Sequence, residues 1–160
     1  MKHVYTATVS WKNEDGEFVS GKYSRAHKWR FDCGIELDAS ASPLVVPLPY
    51  SRAEAVDPEE AFVAAVSSCH MLTFLFLASK KKIAVSSYQD EAEGIMEPND
   101  NGKLWMSRVT LRPKIVFEGQ EPVPDVIEAL HHAAHEECYI ANSVKTQVSV
   151  EPSTASASGQ

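Results

Sequence analysis

The apolar and polar positions of the first fifty residues predict strands followed by a loop. Residues 3–11 mix β-branched, aromatic and small residues in a β-rich run that ends at KNEDGEF, whose Asp15-Gly16 pair is a hairpin signal. We therefore expect strand, turn and strand there. Residues 27–37, HKWRFDCGIEL, are apolar at every second position, as in one half-buried strand. The side chains on its inward face are Trp29, Phe31, Cys33 and Ile35. Three prolines within residues 43–49 then predict a loop.

A long apolar helix follows this loop. Asp57 is suited to cap a helix, Pro58 suits its first position, and Glu60 stands at capping-box spacing from Asp57. The helix is predicted to end near Lys81. Residues 62–78 are apolar on nearly every side, which is typical of a helix that is buried all round. Because a domain of this size can hardly cover such a helix, we expect a partner subunit to cover part of it.

The second half of the chain predicts two strands, a helix and a final strand. Residues 85–119 indicate two strands joined by a hairpin at residues 99–102. A second helix is predicted over residues 122–138, and alternating valines predict a strand within residues 143–152. The apolar stripe of the second helix consists of Val126, Ile127, Leu130, Ala133 and Ala134. This order of elements indicates an α+β protein.

Composition narrows the class of protein further. The 160 residues are 44% hydrophobic and 23% charged, which fits one globular domain over residues 1–152 with a disordered polar tail at 153–160. No run of about 18 apolar residues and no signal-peptide pattern is seen, so we expect a cytoplasmic protein without a membrane span. The net charge of -7 disfavours nucleic acid as a partner.

Three cysteines carry the candidate chemistry: Cys33, Cys69 and Cys138. An odd number of widely spaced cysteines in a chain without an export signal does not describe a disulfide framework, so we expect free thiols. Cys33 lies on a predicted strand face without a partner motif and is assigned to packing. A cysteine in the middle of a helix, such as Cys69, is by itself most often a small buried residue.

Cys69 is accompanied by residues that form a family pattern. Pro58 and Glu59 begin the central helix, Cys69 follows ten residues after Glu59, and Cys138 lies in a His-x-x-Cys sequence with His135. This arrangement resembles the osmotically inducible protein C and organic hydroperoxide resistance (OsmC/Ohr) family of thiol peroxidases over nearly the whole chain. The resemblance implies an α+β fold with a curved antiparallel sheet, two long helices and an intertwined homodimer.

The resemblance also implies a catalytic cycle without a metal or a bound cofactor. Cys69 would attack a peroxide and become a sulfenic acid, and Cys138 would then form a disulfide with it. An external dithiol, either a lipoylated protein or a thioredoxin-like protein, would reduce that disulfide. Organic hydroperoxides are expected as substrates in preference to hydrogen peroxide, because Cys69 is surrounded by apolar residues. These residues either line a substrate site or belong to the core. They are Met71, Leu72, Phe74 and Phe76.

An arginine is expected to stabilise the Cys69 thiolate, with Glu59 orienting it. Arg25 and Arg52 are both candidates, and Arg25 is the preferred one because its surrounding sequence looks like one branch of the family. His70, beside Cys69, is an equally good candidate for a satisfied buried histidine or for a modulator of the thiol.

Helix geometry predicts that each site takes residues from two chains. Glu59 and Cys69 are separated by about 15 Å along the axis and by about 80° around it. An arginine bound to Glu59 of the same chain would have to bridge most of that gap. Two helices crossing antiparallel in a dimer would instead bring the first turn of one towards the middle of the other.

Two other functions are open at this point. His131, His135 and Cys138 follow at helical spacing, which suits a zinc-binding protein whose fourth ligand is Cys69 or His70. Alternatively, the apolar helix serves only assembly, and the protein is a non-catalytic dimeric stress protein.

Overall fold

The computed structural model describes residues 2–14 and 16–152. The chain forms two compact units, one up to Ala61 and the other from Phe62 onwards. Helix α1 (Pro58–Lys80) begins in the first unit and continues through the second. The fold class is the predicted one, α+β with two long helices and mainly antiparallel strands. The single domain over residues 1–152 stays a prediction, and the tail at 153–160 lies outside the described residues.

The first unit contains a three-stranded antiparallel sheet. Strand β1 (Ala7–Ser10) pairs with β2 (His27–Phe31), and β2 pairs with β3 (Glu36–Ala39). The second strand predicted after Gly16 is wrong, because Phe18–Ser20 forms a 3-10 turn. Phe18 packs there against the neighbouring aromatic rings of Trp11 and Tyr23. Asp15 of the predicted hairpin lies outside the described residues.

The single strand predicted over residues 27–37 is also wrong, because a turn divides it into β2 and β3. Gly34 has a φ of 88°, which favours glycine, and its N–H donates to the carbonyl of Phe31 at 3.0 Å. Cys33 lies in this turn and is exposed, so its assignment to packing is corrected. The alternation of apolar residues continues through the turn, so the sequence pattern alone does not show that the chain reverses direction there.

The second unit contains two further sheets. Strand β4 (Val85–Asp90) pairs antiparallel with β7 (Pro113–Phe117). Strand β6 (Leu104–Leu111) is central in the other sheet, antiparallel to β5 (Glu93–Pro98) and parallel to β8 (Gln147–Val150). The final strand is thus confirmed, but its parallel pairing departs from the expected antiparallel sheet.

Each of the two strands predicted over residues 85–119 breaks into two. The hairpin between them is confirmed, since the Asn99 N–H donates to the Lys103 carbonyl at 2.9 Å and Gly102 has a φ of 73°. Asp90 lies where both long strands break. Its carboxylate accepts the Arg112 N–H at 2.6 Å and the Ser67 hydroxyl at 2.5 Å, and thereby ties β4 to the start of β7 and to α1.

The long helix starts as predicted. Asp57 Oδ1 accepts the Glu60 N–H at 2.7 Å, and the Asp57 N–H donates to the Glu60 carboxylate at 3.4 Å, which together form a capping box. The second helix, α2 (Pro124–Glu137), begins with a proline at its first position. Both helices thus follow from local signals.

Only one face of α1 is buried within the chain. Its residues recur every four positions: Val66, His70, Phe74 and Ala78. Phe74 and Ala78 pack against Leu130 and Ala134 of α2. On another face, Leu72 is 61% and Phe76 is 56% exposed. The predicted burial on all sides is therefore not achieved by one chain.

By length and composition, α1 is also long and apolar enough to cross a membrane. Core helices of soluble proteins meet the same test, and Phe74 of this helix is fully buried in a protein core. One side of its first half packs closely on β5, because a Cβ on Gly94 would lie 2.5 Å from Val63 Cγ2. We interpret α1 as a core helix.

We predict that Asp90→Ala lowers the free energy of unfolding by about 1–3 kcal/mol, because the part-buried Arg112 N–H and Ser67 hydroxyl lose their acceptor. Urea unfolding followed by circular dichroism measures this change. Glu91→Ala is the matched control, since Glu91 is exposed and accepts only a 3.4 Å bond from Gln89. Equal effects of the two substitutions would contradict a special role of Asp90.

Candidate active site

The structure brings Cys69 and Cys138 together within the second unit. Cys69 lies in the middle of α1 and is half-buried, whereas Cys138 caps the C-terminal end of α2 and is fully buried. Both are free thiols. The Cys138 carbonyl accepts the main-chain N–H and the side-chain amide of Asn142, both at 3.0 Å. These bonds hold the chain in place directly after Cys138.

The environment of Cys138 favours its neutral thiol. The pKa of Cys138 is raised to about 11, first by burial and then by the neighbouring Cys69 side chain, while the N–H groups of Ala141 and Ile140 partly oppose the rise. At neutral pH, Cys138 therefore keeps its proton. Because the thiolate is the nucleophilic form of cysteine, Cys138 is poorly suited to make the first attack on a peroxide.

A buried pair of histidines, His70 and His131, comes from the same two helices as the thiol pair. His70 Nε2 and His131 Nδ1 are 3.1 Å apart, and their rings are nearly parallel, with an angle of 8° between planes. The pKa of His70 is lowered to about 4, first by burial and then by His135, while Asp90 partly opposes the change. Burial and then His70 lower the pKa of His131 to about 4. Both rings are therefore neutral at pH 7.

The outer nitrogens of this pair have no hydrogen-bond partner. His70 Nδ1 and His131 Nε2 are both buried, as is Nδ1 of His135, and none of the three is bonded within the described part of the chain. A neutral pair joined by one hydrogen bond leaves one donor and one acceptor at its two ends. His70 was expected to be either a satisfied buried histidine or a modulator of the thiol. It is buried, but only one of its two ring nitrogens has a hydrogen-bond partner within the described residues.

Sequence reasoning missed this pair, although a signal existed. His70 lies four residues after Val66 and four before Phe74, on the buried stripe of α1. His131 entered only as a zinc ligand with His135 and Cys138. Among residues 2–14 and 16–152, no group of three or more His, Cys, Asp or Glu side chains is arranged to hold a metal ion. The helical spacing therefore does not assemble the zinc site.

The arginines and Glu59 are placed separately in the first unit. The Arg25 guanidinium lies 3.7 Å from the centre of the Tyr23 ring and donates to the Gly21 carbonyl at 2.8 Å. Arg52 instead forms an ion pair with Glu54 at 2.8 Å. Glu59 is half-buried and makes no ion pair with either arginine within the described residues of one chain. Of the two candidate arginines, Arg25 is thus the one that forms no ion pair with a carboxylate of the described residues.

Comparison with known proteins assigns the family. The family of OsmC-like proteins matches residues 51–153, well over half of the chain. A solved OsmC-like protein of unknown function from Vibrio cholerae is 51% identical, with 95% of this chain and 100% of that chain covered and a TM-score of 0.91. The chain therefore belongs to the OsmC/Ohr family, as its cysteine pattern predicted.

More distant structures share the fold. The organic hydroperoxide resistance protein of Elizabethkingia anophelis is 17% identical with a TM-score of 0.70, over 96% of this chain and 99% of that chain. The protein OhrB of Bacillus subtilis, also an organic hydroperoxide resistance protein, is 18% identical with a TM-score of 0.66, over 94% and 98%. No curated protein matches the chain.

The histidine pair predicts a specific acid sensitivity. Each ring titrates near pH 6.5 when unfolded but near 4 when folded, so unfolding takes up protons below pH 6.5. The free energy of unfolding therefore loses nothing to this pair above pH 6.5. Between pH 6.5 and pH 4 it falls by up to about 1.4 kcal/mol per pH unit for each histidine.

We predict that in His131→Phe the free energy of unfolding falls less steeply with decreasing pH, by at least the contribution of one histidine. The substitution should also lower stability at pH 7. Urea unfolding at pH 7, 6 and 5 measures the slope. His132→Gln is the matched control on the same helix, because the His132 side chain is 73% exposed. An unchanged slope in His131→Phe would show that the pair does not cause the acid sensitivity.

Proposed function

We propose that this protein is a cysteine-based thiol peroxidase that reduces organic hydroperoxides, with hydrogen peroxide as a poorer substrate. The observation that carries the proposal is the interaction of Cys69 in α1 with Cys138 at the end of α2, the two cysteines whose spacing resembles the family pattern. Membership of a family that includes hydroperoxide resistance proteins supports a peroxiredoxin-like role.

In the proposed cycle, the Cys69 thiolate attacks one peroxide oxygen. The O–O bond breaks, an S–O bond forms, and the leaving alkoxide takes up a proton to give the alcohol, which leaves Cys69 as a sulfenic acid. The Cys138 thiol then gives up its proton as its sulfur attacks the Cys69 sulfur, the S–O bond breaks, the hydroxyl leaves with that proton as water, and a disulfide forms. The raised pKa of Cys138 supports assigning the first attack to Cys69, because a protonated thiol does not compete for the peroxide.

The cycle closes when an external dithiol reduces the disulfide by exchange and is itself oxidised. A lipoylated protein or a thioredoxin-like protein is the proposed reductant, and the proposed location is the cytoplasm. No bound cofactor or metal takes part in these steps. The preference for organic substrates is supported by Leu72 and Phe76, which are exposed beyond Cys69 on α1, whereas Phe74 belongs to the core.

We also propose a homodimer that covers the exposed face of α1. Cys69 lies four residues after Ala65 and three before Leu72, so it borders this face. Monomeric soluble proteins rarely leave such an apolar stripe uncovered. Covering it would also enclose Cys69, and the partner's helix would bring a second Glu59 towards it. Arg25 is the proposed arginine for that carboxylate.

We predict that the two thiols have different roles. Cys69→Ser should abolish the first turnover, because no attacking thiolate remains, whereas Cys138→Ser should consume one peroxide per site and then stop as a sulfenic acid. Rapid-mix peroxide consumption and mass spectrometry of the trapped Cys69 measure both outcomes. Cys33→Ser is the matched control, since Cys33 lies in an exposed turn and should have no effect.

Loss of the first turnover in both mutants would contradict this assignment of roles. A peroxide reaction of wild-type Cys69 no faster than that of a free thiol would favour the non-catalytic dimeric stress protein. The same assay with a panel of peroxides and both classes of dithiol ranks the substrate and the reductant.

We predict that each site is built from two chains. A Cys69→Ser chain and a Glu59→Ala chain, each inactive alone, should regain activity when unfolded and refolded together, because one of the two sites in a heterodimer then carries both native residues. Differently tagged chains allow heterodimers to be purified before turnover is measured. A heterodimer with no activity would place each site within one chain.

A further inference from the structure

The ring of Tyr23 is held by its neighbours in the first unit. It packs against the rings of Phe18 and Trp11, with 4.7 Å and 5.4 Å between ring centres. A Cβ on Gly16 would lie 2.6 Å from the Tyr23 Cβ, so the backbone also approaches this side chain closely. The position of the Tyr23 ring is thus set by contacts that do not involve Arg25.

Arg25 lies over this ring. Its guanidinium carbon is 3.7 Å from the centre of the Tyr23 ring and 5.9 Å from that of Tyr50, both within the range of a cation–π contact. The Arg25 main-chain N–H donates to the Tyr50 carbonyl at 2.8 Å, and the Nδ1–H of His27 donates to the Arg25 carbonyl at 2.8 Å. The backbone and the side chain of Arg25 are therefore both held within the first unit.

Hydrogen bonds occupy only one nitrogen of the guanidinium. Nη1 of Arg25 donates to the carbonyls of Gly21 at 2.8 Å and Tyr23 at 2.5 Å. Nε and Nη2 form no hydrogen bond within residues 2–14 and 16–152. Two neighbouring N–H groups on one edge are what arginine uses to bind a carboxylate through two parallel hydrogen bonds. The edge formed by Nε and Nη2 therefore remains for such a partner.

We propose that Tyr23 is a positioning residue for Arg25: its ring and the Gly21 carbonyl hold the guanidinium so that the edge formed by Nε and Nη2 faces a carboxylate. This inference rests on the proposed function, in which Arg25 stabilises the Cys69 thiolate and pairs with Glu59 of the partner subunit. A side chain that already has its working geometry loses less conformational entropy when it acts. Tyr23 acts through Arg25 and needs no contact with the peroxide.

The first test observes Arg25 directly, without turnover. The ring current of an aromatic side chain shields protons over its face, so we expect an upfield Arg25 Nε–H signal in NMR spectra of the full chain. Tyr23→Leu should move this signal to the position of an ordinary arginine, whereas Tyr23→Phe keeps the ring and should leave it in place. Loss of the signal in Arg25→Gln assigns it. A signal that Tyr23→Leu does not move would overturn the proposal.

The second test measures the first-turnover rate with an organic hydroperoxide. Tyr23→Leu should lower this rate about two- to fivefold, as for one cation–π contact, and Tyr23→Phe should keep the wild-type rate. In a chain that carries Arg25→Gln, assayed at raised peroxide concentration, Tyr23→Leu should have no further effect, because no cation remains to be positioned. Phe18→Leu is the matched control, since Phe18 packs on the Tyr23 ring but is not among the rings that contact Arg25 in the described residues.

Three kinetic results would overturn the proposal. They are a loss in Phe18→Leu as large as that in Tyr23→Leu, a loss in Tyr23→Phe, or an undiminished effect of Tyr23→Leu in the Arg25→Gln chain. Absence of turnover in the wild-type chain would instead contradict the proposed function. In that case the Nε–H signal still decides whether Tyr23 positions Arg25.

Discussion

The contact between α1 and α2 is the interaction on which the candidate site depends. Phe74 and Ala78 of α1 pack against Leu130 and Ala134 of α2, and all four are fully buried. Because a helix is rigid over a few turns, this contact also sets the positions of residues one turn away. Cys69 and His70 on one helix are thus brought to Cys138 and His131 on the other. The same apolar contact serves the thiol pair and the histidine pair.

The histidine pair is the part of this core that packing alone does not explain. Apolar side chains at positions 70 and 131 would fill the space without leaving polar atoms unbonded, whereas the two imidazoles leave His70 Nδ1 and His131 Nε2 without partners. Each unbonded buried group costs about 1–3 kcal/mol. The histidine pair therefore costs stability that an apolar pair in the same space would not cost.

The two faces of α1 differ in how far the chain itself covers them. One face is buried by the chain itself, and the other, with Leu72 and Phe76, is left largely uncovered. Cys69 lies between these faces, half-buried. A partner that covers the second face would change the solvent around the Cys69 sulfur as well. In the proposed dimer, the position of Cys69 on α1 would therefore couple dimer formation to the reactivity of the thiol.

The sequence by itself determined the features that depend on neighbours in the chain. The capping box of Asp57 and Glu60 placed the start of α1, and the hairpin at residues 99–102 followed from its turn residues. The spacing of Glu59, Cys69 and Cys138 indicated the family. These signals act over a few residues or through a pattern of fixed spacing, so they are visible without coordinates.

Only the tertiary structure decided the features that depend on distant partners. The strand breaks at Asp90 and Arg112 rest on hydrogen bonds between residues 22 and 23 positions apart, and the histidine pair joins residues 61 positions apart. The turn at Cys33 was hidden because its apolar alternation matches a continuous strand. Periodicity in the sequence indicates which face of a helix or strand a residue lies on. Which side chain it contacts on that face depends on how the whole chain packs.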